Sequence, residues 1–319
     1  MAATRPGRLL VRASQSALAD DRDAGRGLGD PGGLRVGWIR LILALLGLVL
    51  AGLVIYWQLI VAEGTYLGPG VVALLYDWSA HVYERIKQFD VGDEQWFLGL
   101  PLVRALSLIP APLVLDVATG TGRLPRALLR QPAFDGRVIG LDLSRRMLRQ
   151  AVERTAQFAD RLTYIWQDAR RLPFDDDTFD AVTCLEALEF TPDAREVVAE
   201  LVRVLRPGGV LLVSNRIGQD ARWLPGRALS NEGFEQMLHS FPLEDVKRQS
   251  WQMDYDLVWA IKTGRPQGGG VRPLVEIARC PACRGQLNRE ARGLRCQDCG
   301  CDYPIAEDGV IEMIGKRAR

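Results

Sequence analysis

Net charge is what this chain most obviously lacks. In 319 residues, 40 Lys and Arg face 39 Asp and Glu, a formal charge of +1. Such a balance excludes the global basic footprint of a protein that grips nucleic acid by neutralising phosphates. Lysine is scarce too, occurring only as Lys87, Lys247, Lys262 and Lys316, so nearly every cation is arginine. This is a bias of composition and carries no functional signal. No Gly-Lys-Ser/Thr follows a glycine-rich turn, which excludes a P-loop. A Gly-x-Gly is present at Gly120 and Gly122, but the third glycine of a dinucleotide fingerprint is missing. Pro125 stands there; it suits the first turn of a helix and does not support a pyrophosphate cradle.

What is there begins with Val114-Leu115-Asp116-Val117-Ala118-Thr119-Gly120-Thr121-Gly122. A short apolar run that ends in Gly-x-Gly predicts a buried parallel strand, a tight turn and a helix. Val138-Ile139-Gly140-Leu141-Asp142 predicts a second strand with an acid at its tip. Together these give a nucleotide-binding α/β layout: the glycines let backbone approach a ligand, and the later Asp accepts ribose hydroxyls.

The acid before the glycines narrows the nucleotide. Asp116-x-x-x-Gly120-x-Gly122 resembles motif I of the class I S-adenosylmethionine (SAM)-dependent methyltransferases. Gly140-Leu141-Asp142-Leu143-Ser144 is similar to their ribose motif, with Ser144 placed to cap a helix over 145–157, and Gln167-Asp168-Ala169 to their adenine motif. Phe179-Asp180-Ala181-Val182 and Arg203-Val204-Leu205-Arg206-Pro207-Gly208-Gly209 match the fourth strand and the turn before the fifth. The resemblance implies a doubly wound, Rossmann-like α/β fold with a seven-stranded sheet, over residues 66–263. It implies SAM as methyl donor, held by Asp116, Ala118, Gly120, Gly122, Asp142, Leu143, Asp168 and Ala169. Tyr76-Asp77-Trp78-Ser79-Ala80-His81-Val82-Tyr83-Glu84 is similar to the lid segment of quinone and small-molecule methyltransferases, which makes Tyr76 and Tyr83 candidates for covering the cofactor. Methyl transfer is an in-line displacement from a good leaving group, so alignment and exclusion of water do most of the work. Where relatives often carry a His after strand four, this chain has Glu189, the candidate base.

Ahead of the domain, residues 1–37 are rich in Gly, Arg, Asp and Ala and predict disorder. Residues 38–62 hold Arg40 as their one charge, long enough to cross a hydrocarbon core, with Trp38, Tyr56 and Trp57 as interfacial aromatics. A membrane helix is expected there. Arg22, Arg26, Arg35 and Arg40 precede it, which by the positive-inside rule favours a cytoplasmic N-terminus. The need for SAM argues instead for a catalytic domain on the cytoplasmic face. Either the rule is overridden here, or residues 66–76 return to the membrane with the first segment as a re-entrant hairpin.

At the other end, residues 264–272 predict a linker and 273–315 a small zinc ribbon. Cys280-Pro281-Ala282-Cys283 and Cys296-Gln297-Asp298-Cys299 form two Cys-x-x-Cys knuckles, the pattern of a closed tetrahedral Zn2+ site with a structural role. Cys301 is a spare thiol or an alternate ligand. The segment resembles the ribbon family of the tRNA-methyltransferase activator, which leaves a protein partner open, and it lacks a basic-aromatic stripe. No Asn/Asp-Pro-Pro-Tyr motif of amino methylation occurs. The leading expectation is a membrane-tethered enzyme acting on a lipophilic small molecule, quinone- or lipid-like. The alternatives are an RNA- or protein-directed methyltransferase docking through the ribbon, and a non-catalytic SAM-binding scaffold.

Overall fold

The structure is a computed structural model, and it describes residues 31–81, 91–266 and 269–314. Tyr83 and the expected disordered residues 1–30 lie outside them. The chain divides into two units, Met1–Gly52 and Leu53–Arg319. Helix α1 (Pro31–Tyr56) starts seven residues before the expected 38, inside the stretch expected to be disordered. Its side chains from Gly37 onward are exposed and almost all apolar. With the following π-helical turn (Trp57–Val61), the apolar stretch Gly37–Val61 runs 25 residues, about 37 Å at 1.5 Å per residue. That exceeds a hydrocarbon core of ~30 Å.

In the second unit the end of this stretch is docked. The Trp57 indole N–H donates to the Trp223 carbonyl at 3.1 Å, and its ring stacks on Tyr66 at 5.2 Å. The Tyr66 hydroxyl donates to the Pro225 carbonyl at 2.8 Å. The segment weighed as a re-entrant hairpin forms α2 (Pro69–Ser79), whose inward face lines the main cleft of the domain. Pro69 at its first position starts it, since the missing N–H costs nothing there.

The sheet contains β1 (Leu113–Val117), β2 (Arg137–Asp142), β3 (Leu162–Trp166), β4 (Phe179–Cys184), β5 (Leu205–Arg216), β6 (Leu243–Ser250) and β7 (Tyr255–Lys262). Helices α3 (Arg123–Leu129), α4 (Arg145–Arg154), α5 (Ala194–Val204) and α6 (Asn231–His239) alternate with the strands. The spatial order is 3-2-1-4-5-7-6, parallel except for antiparallel β7. β1 is buried throughout, Asp116 included, because both faces are covered: Leu113, Leu115 and Val117 pack into one core cluster and Val114 into another.

The expected sheet has seven strands; this one has eight. β8 (Leu287–Glu290), β9 (Gly293–Cys296) and β10 (Asp302–Pro304) form the cysteine-bearing ribbon. The chain then returns as β11 (Ile311–Glu312), which pairs in parallel with β3, Ile311 opposite Ile165. Met313 and Ile314 donate their N–H groups to the Trp166 carbonyl at 3.0 and 3.1 Å. The reason is physical: β3 would otherwise be an exposed edge with unpaired backbone groups. Arg145, at the start of α4, forks onto Asp308 at 2.8 Å and reaches Glu312 at 3.1 Å. Ala278 forms a bridge with Phe174, and Arg284 donates to the Leu172 carbonyl at 2.9 Å. Cys280, Leu287, Leu294, Cys296, Tyr303, Ile311 and Met313 belong to the same core cluster as the sheet. The expected linker is clamped: Asp180 Oδ2 accepts from Gly270 N at 2.9 Å and Leu113 N at 2.8 Å, while Oδ1 takes Arg206.

Candidate active site

The tips of β1, β2 and β4 open beneath α2 into a cleft with about 890 Å³ of space free of protein atoms, part of it open to solvent. The β1–α3 turn builds its floor. Ala118, Gly120 and Gly122 all have positive φ, at 56°, 53° and 78°. Glycine adopts this region freely, whereas Ala118 is strained there. Gly120 faces the cleft; Gly122 does not. A Cβ on Gly122 would meet the Tyr164 hydroxyl oxygen at 2.6 Å, and one on Gly140 the Tyr164 ring at 2.6 Å. Tyr164, held by Thr155 at 3.1 Å, therefore lies across both glycines. Gly122 serves packing of α3 against the sheet.

Asp116 is also turned away. Its Oδ2 accepts from Thr119 Oγ1 and its Oδ1 from Thr183 Oγ1, both at 2.6 Å. Buried beneath the turn, it braces β1 to β4, and burial raises its pKa to about 6. Asp142, at the cleft wall, accepts from Gly120 N at 2.8 Å through Oδ2 and from Ser144 N at 2.7 Å through Oδ1. Beyond these backbone donors the ionised carboxylate can accept further hydrogen bonds. Burial raises this carboxyl to about 6 as well, against the backbone N–H groups that lower it. Ser144 caps α4 as its sequence position suggests, accepting from Met147 N at 3.1 Å. Its hydroxyl donates to Asp77 at 2.6 Å, which latches α2 over the cleft.

The far wall comes from β3 and β4. Leu143 is positioned by the Trp166 indole, which donates to its carbonyl at 2.7 Å. Gln167, Asp168, Ala169 and Arg170 follow. Arg170 holds the Asp168 carboxylate with Nη2 at 2.6 Å and Nε at 3.1 Å. Beyond β4, Glu186 stands at φ 51° and lines the cleft. It accepts from Arg123 Nη1 at 2.8 Å and from Gln252 Nε2 at 3.0 Å, and Arg123 Nε donates to Glu94 at 2.8 Å. Tyr76 and Phe190 meet edge to face at 5.9 Å, and the Tyr76 hydroxyl donates to Glu63 at 2.7 Å.

Glu189, the expected base, is absent from the cleft lining. It is 3% exposed and faces a smaller cavity behind Phe190. Tyr255 donates its hydroxyl to Glu189 Oε1, and Arg216 Nη1 stands 3.7 Å away. Burial pushes this carboxyl up to about 7. The cleft thus brings together Tyr76, Ala118, Gly120, Asp142, Leu143, Asp168 and Ala169, and leaves out Asp116, Gly122 and Glu189. Ser144 and Gln167 stood in the ribose and adenine motifs without being named as contacts, and sequence reasoning missed Met147 and Arg170 on the lining and Asp77 as the latch. Asp77 had a signal in its place one residue after Tyr76.

The Sγ atoms of Cys280, Cys283, Cys296 and Cys299 lie within 4.8 Å of one another. Metal–sulfur bonds of about 2.3 Å at tetrahedral angles set sulfurs roughly 3.8 Å apart, so the donor set fits. Cys280 and Cys299 are 3.6 Å apart, Cys283 and Cys296 3.4 Å. Cys301 stays outside the cluster.

A sheet in this order, with a glycine turn after β1 and an acid at the tip of β2, defines a class I SAM-dependent methyltransferase fold. Residues 114–209 match the family described as "Methyltransferase domain". The chain is 36% identical over 146 residues to a demethylmenaquinone methyltransferase of Clavibacter sepedonicus, covering 46% of this chain and 58% of that protein. It is 37% identical over 145 residues to a 2-phytyl-1,4-naphtoquinone methyltransferase of Synechococcus elongatus (44% and 62%). It is 40% identical over 146 residues to a ubiquinone/menaquinone biosynthesis C-methyltransferase of Desulfotalea psychrophila (44% and 56%). The chain thus spans about three-fifths of the length of these relatives. Among solved structures, a [4+2]-cyclase aligns with a TM-score of 0.52 at 19% identity, over 62% of this chain and 98% of that one, which shows the fold alone. Residues 114–209 thus form a methyltransferase domain, and over that stretch the chain is similar to SAM-dependent methyltransferases.

Proposed function

We propose that this chain transfers a methyl group from SAM to a lipophilic, quinone-like acceptor while tethered to a membrane by α1, with the catalytic domain on the cytoplasmic face. The observation that carries the reading is the cleft itself: a ribose-binding carboxylate at one end and an aromatic pair, Tyr76 and Phe190, beneath a latched roof. The Asp142 carboxylate accepts the two ribose hydroxyls in charge-assisted hydrogen bonds. Leu143 and Ala169 flank the adenine, and Gly120 admits the donor close to backbone. Asp168 works through the arm of Arg170 it holds. Glu186, carrying negative charge at the tip of β4, faces the methionine ammonium. Asp116 and Gly122 keep the turn in shape and touch no ligand.

SAM supplies the methyl and its sulfonium leaving group; the protein supplies alignment and a site closed to water. Glu189 lies behind Phe190 and positions that ring and its loop. Quinone-directed relatives support the acceptor class. The four cysteines would hold Zn2+ as a closed structural site, binding ribbon strands to one another. The ribbon's last strand is spent on the β3 edge of its own chain, which favours the small-molecule reading over docking to RNA or protein.

The test is methyl-labelled methionine fed to parent and deletion cells, with lipid, protein and RNA separated. Loss of a labelled lipid-soluble species is expected. Loss from RNA or protein alone would overturn the acceptor class, and failure of the purified chain to bind SAM would overturn the donor.

A further inference from the structure

Helix α2 has two apolar faces. Pro69, Val72, Ala73 and Tyr76 line the cleft, at the spacing of one helical face. Leu74 and Trp78, four residues apart, form another face and are 66% and 73% exposed. Leu67, just before the helix, is 52% exposed, and Trp223 is 58% exposed. Single exposed apolar residues are ordinary, but here Trp223 and the segment before Leu67 are tied to the end of the apolar stretch, and Leu74 and Trp78 follow on the helix that Leu67 precedes. The Trp57–Val61 turn closes the apolar stretch, and Trp57 is hydrogen-bonded to Trp223. Tyr66, stacked on Trp57, is bonded to Pro225 and adjoins Leu67. Two exposed cations border the patch: Arg222 precedes Trp223, and Arg146 reaches the Asp77 carbonyl at 3.5 Å.

We propose that the outer face of α2 and the Trp223 loop seat in the headgroup–acyl boundary of a phospholipid bilayer, so that the roof of the cleft lies at the depth where a lipophilic acceptor resides. The inference rests on the reading of α1 as a membrane anchor. The occupant follows from chain continuity: the patch begins six residues after the end of a stretch long enough to cross a bilayer. Tryptophan is the residue type enriched at that boundary, and arginine beside it meets anionic headgroups. Its inner face then forms the cleft wall that an acceptor leaving the bilayer meets first. The Asp77–Ser144 latch fixes both faces relative to the donor site.

The test uses the full chain in vesicles of equal parts phosphatidylcholine and phosphatidylglycerol, with bromine on the acyl chains. Eight tryptophans contribute to the emission. Trp78→Phe and Trp223→Phe are each expected to remove emission that bromine quenches. Trp96→Phe, at a residue whose exposure (66%) lies between those two, on the Gln95–Gly99 turn beside α3, is expected to remove unquenched emission. Unquenched losses in both the Trp78 and Trp223 variants overturn the proposal. SAM binding, unchanged in all three, reports that the domain is folded. Alkaline carbonate separates the two readings. Release of the parent chain from vesicles overturns the anchor and this proposal together; retention with unquenched Trp78 and Trp223 overturns the docking surface alone.

Discussion

Ile311→Ala tests whether the ribbon and the methyltransferase sheet are one cooperative structure. Ile311 is 2% exposed, pairs with Ile165 on β3 and sits in the core cluster that unites ribbon and sheet. Removing its side chain loses the transfer free energy of three carbons and leaves a cavity, together about 2–5 kcal/mol. The backbone bonds of Met313 and Ile314 to Trp166 hold the site open and limit collapse, so the middle of that range is expected. For a domain of this size each kcal/mol moves the melting temperature by about 2–4 °C. The expected fall is therefore roughly 6–14 °C, in one transition, measured by calorimetry on the full chain in nanodiscs. SAM should raise the melting temperature of parent and variant alike. Two separate transitions, with the SAM-responsive one unmoved by the substitution, would refute the reasoning, because that is how an independent ribbon on a linker behaves.

Asp142→Asn removes charge from the acceptor of the ribose hydroxyls and is expected to weaken SAM binding by about 10–100-fold, as read by calorimetry. In the parent, affinity should fall about tenfold between pH 8 and pH 5, since Asp142 titrates near 6. The stability of the empty domain moves the other way: its pKa is raised on folding, so this contribution is full below about 4 and is lost as pH rises through 6. Gly122→Ala should cost stability through both its φ of 78° and its contact with Tyr164; Tyr164→Phe, which deletes the opposing oxygen, should restore part of it in the double variant. Glu189→Gln should leave turnover within about threefold, whereas loss of a general base costs about 100-fold or more and would return Glu189 to the chemistry. Cys296→Ser should lose one bound zinc per chain by metal analysis and lower the melting temperature of the whole domain; unchanged zinc would sink the four-cysteine assignment.

The core of the fold was legible because its signals are local. Apolar runs, the glycine turn and the Ser144 cap each lie within a few residues of the structure they dictate. Asp142 and Leu143 were readable for the same reason: a strand tip points its last side chains at the crevice. Asp116 and Glu189 show where this stops. Spacing places a carboxylate on a loop, but which side it faces depends on partners far along the chain, Thr183 for one and Tyr255 for the other. Arg170 was close enough to Asp168 to be foreseen as its partner. β11 carried no signal at all. A two-residue strand has no period, and its pairing with β3 is a tertiary event decided by an open edge.

The position of β11 also governs the order of assembly. On the ribosome α1 is made before any strand, and β11 is the last of the described elements to emerge. At about 5–20 residues per second, on the order of 10–30 s separates β3 from the strand that covers it. During that interval the nascent sheet carries a bare edge, the kind of surface that recruits other chains. Covering of that edge then waits on the ribbon strands β8–β10, which precede β11 in the chain. When synthesis stalls between β3 and β11, the expected fate of this protein is therefore aggregation or proteolysis of the partly made chain, ahead of any loss of methyl transfer from folded molecules.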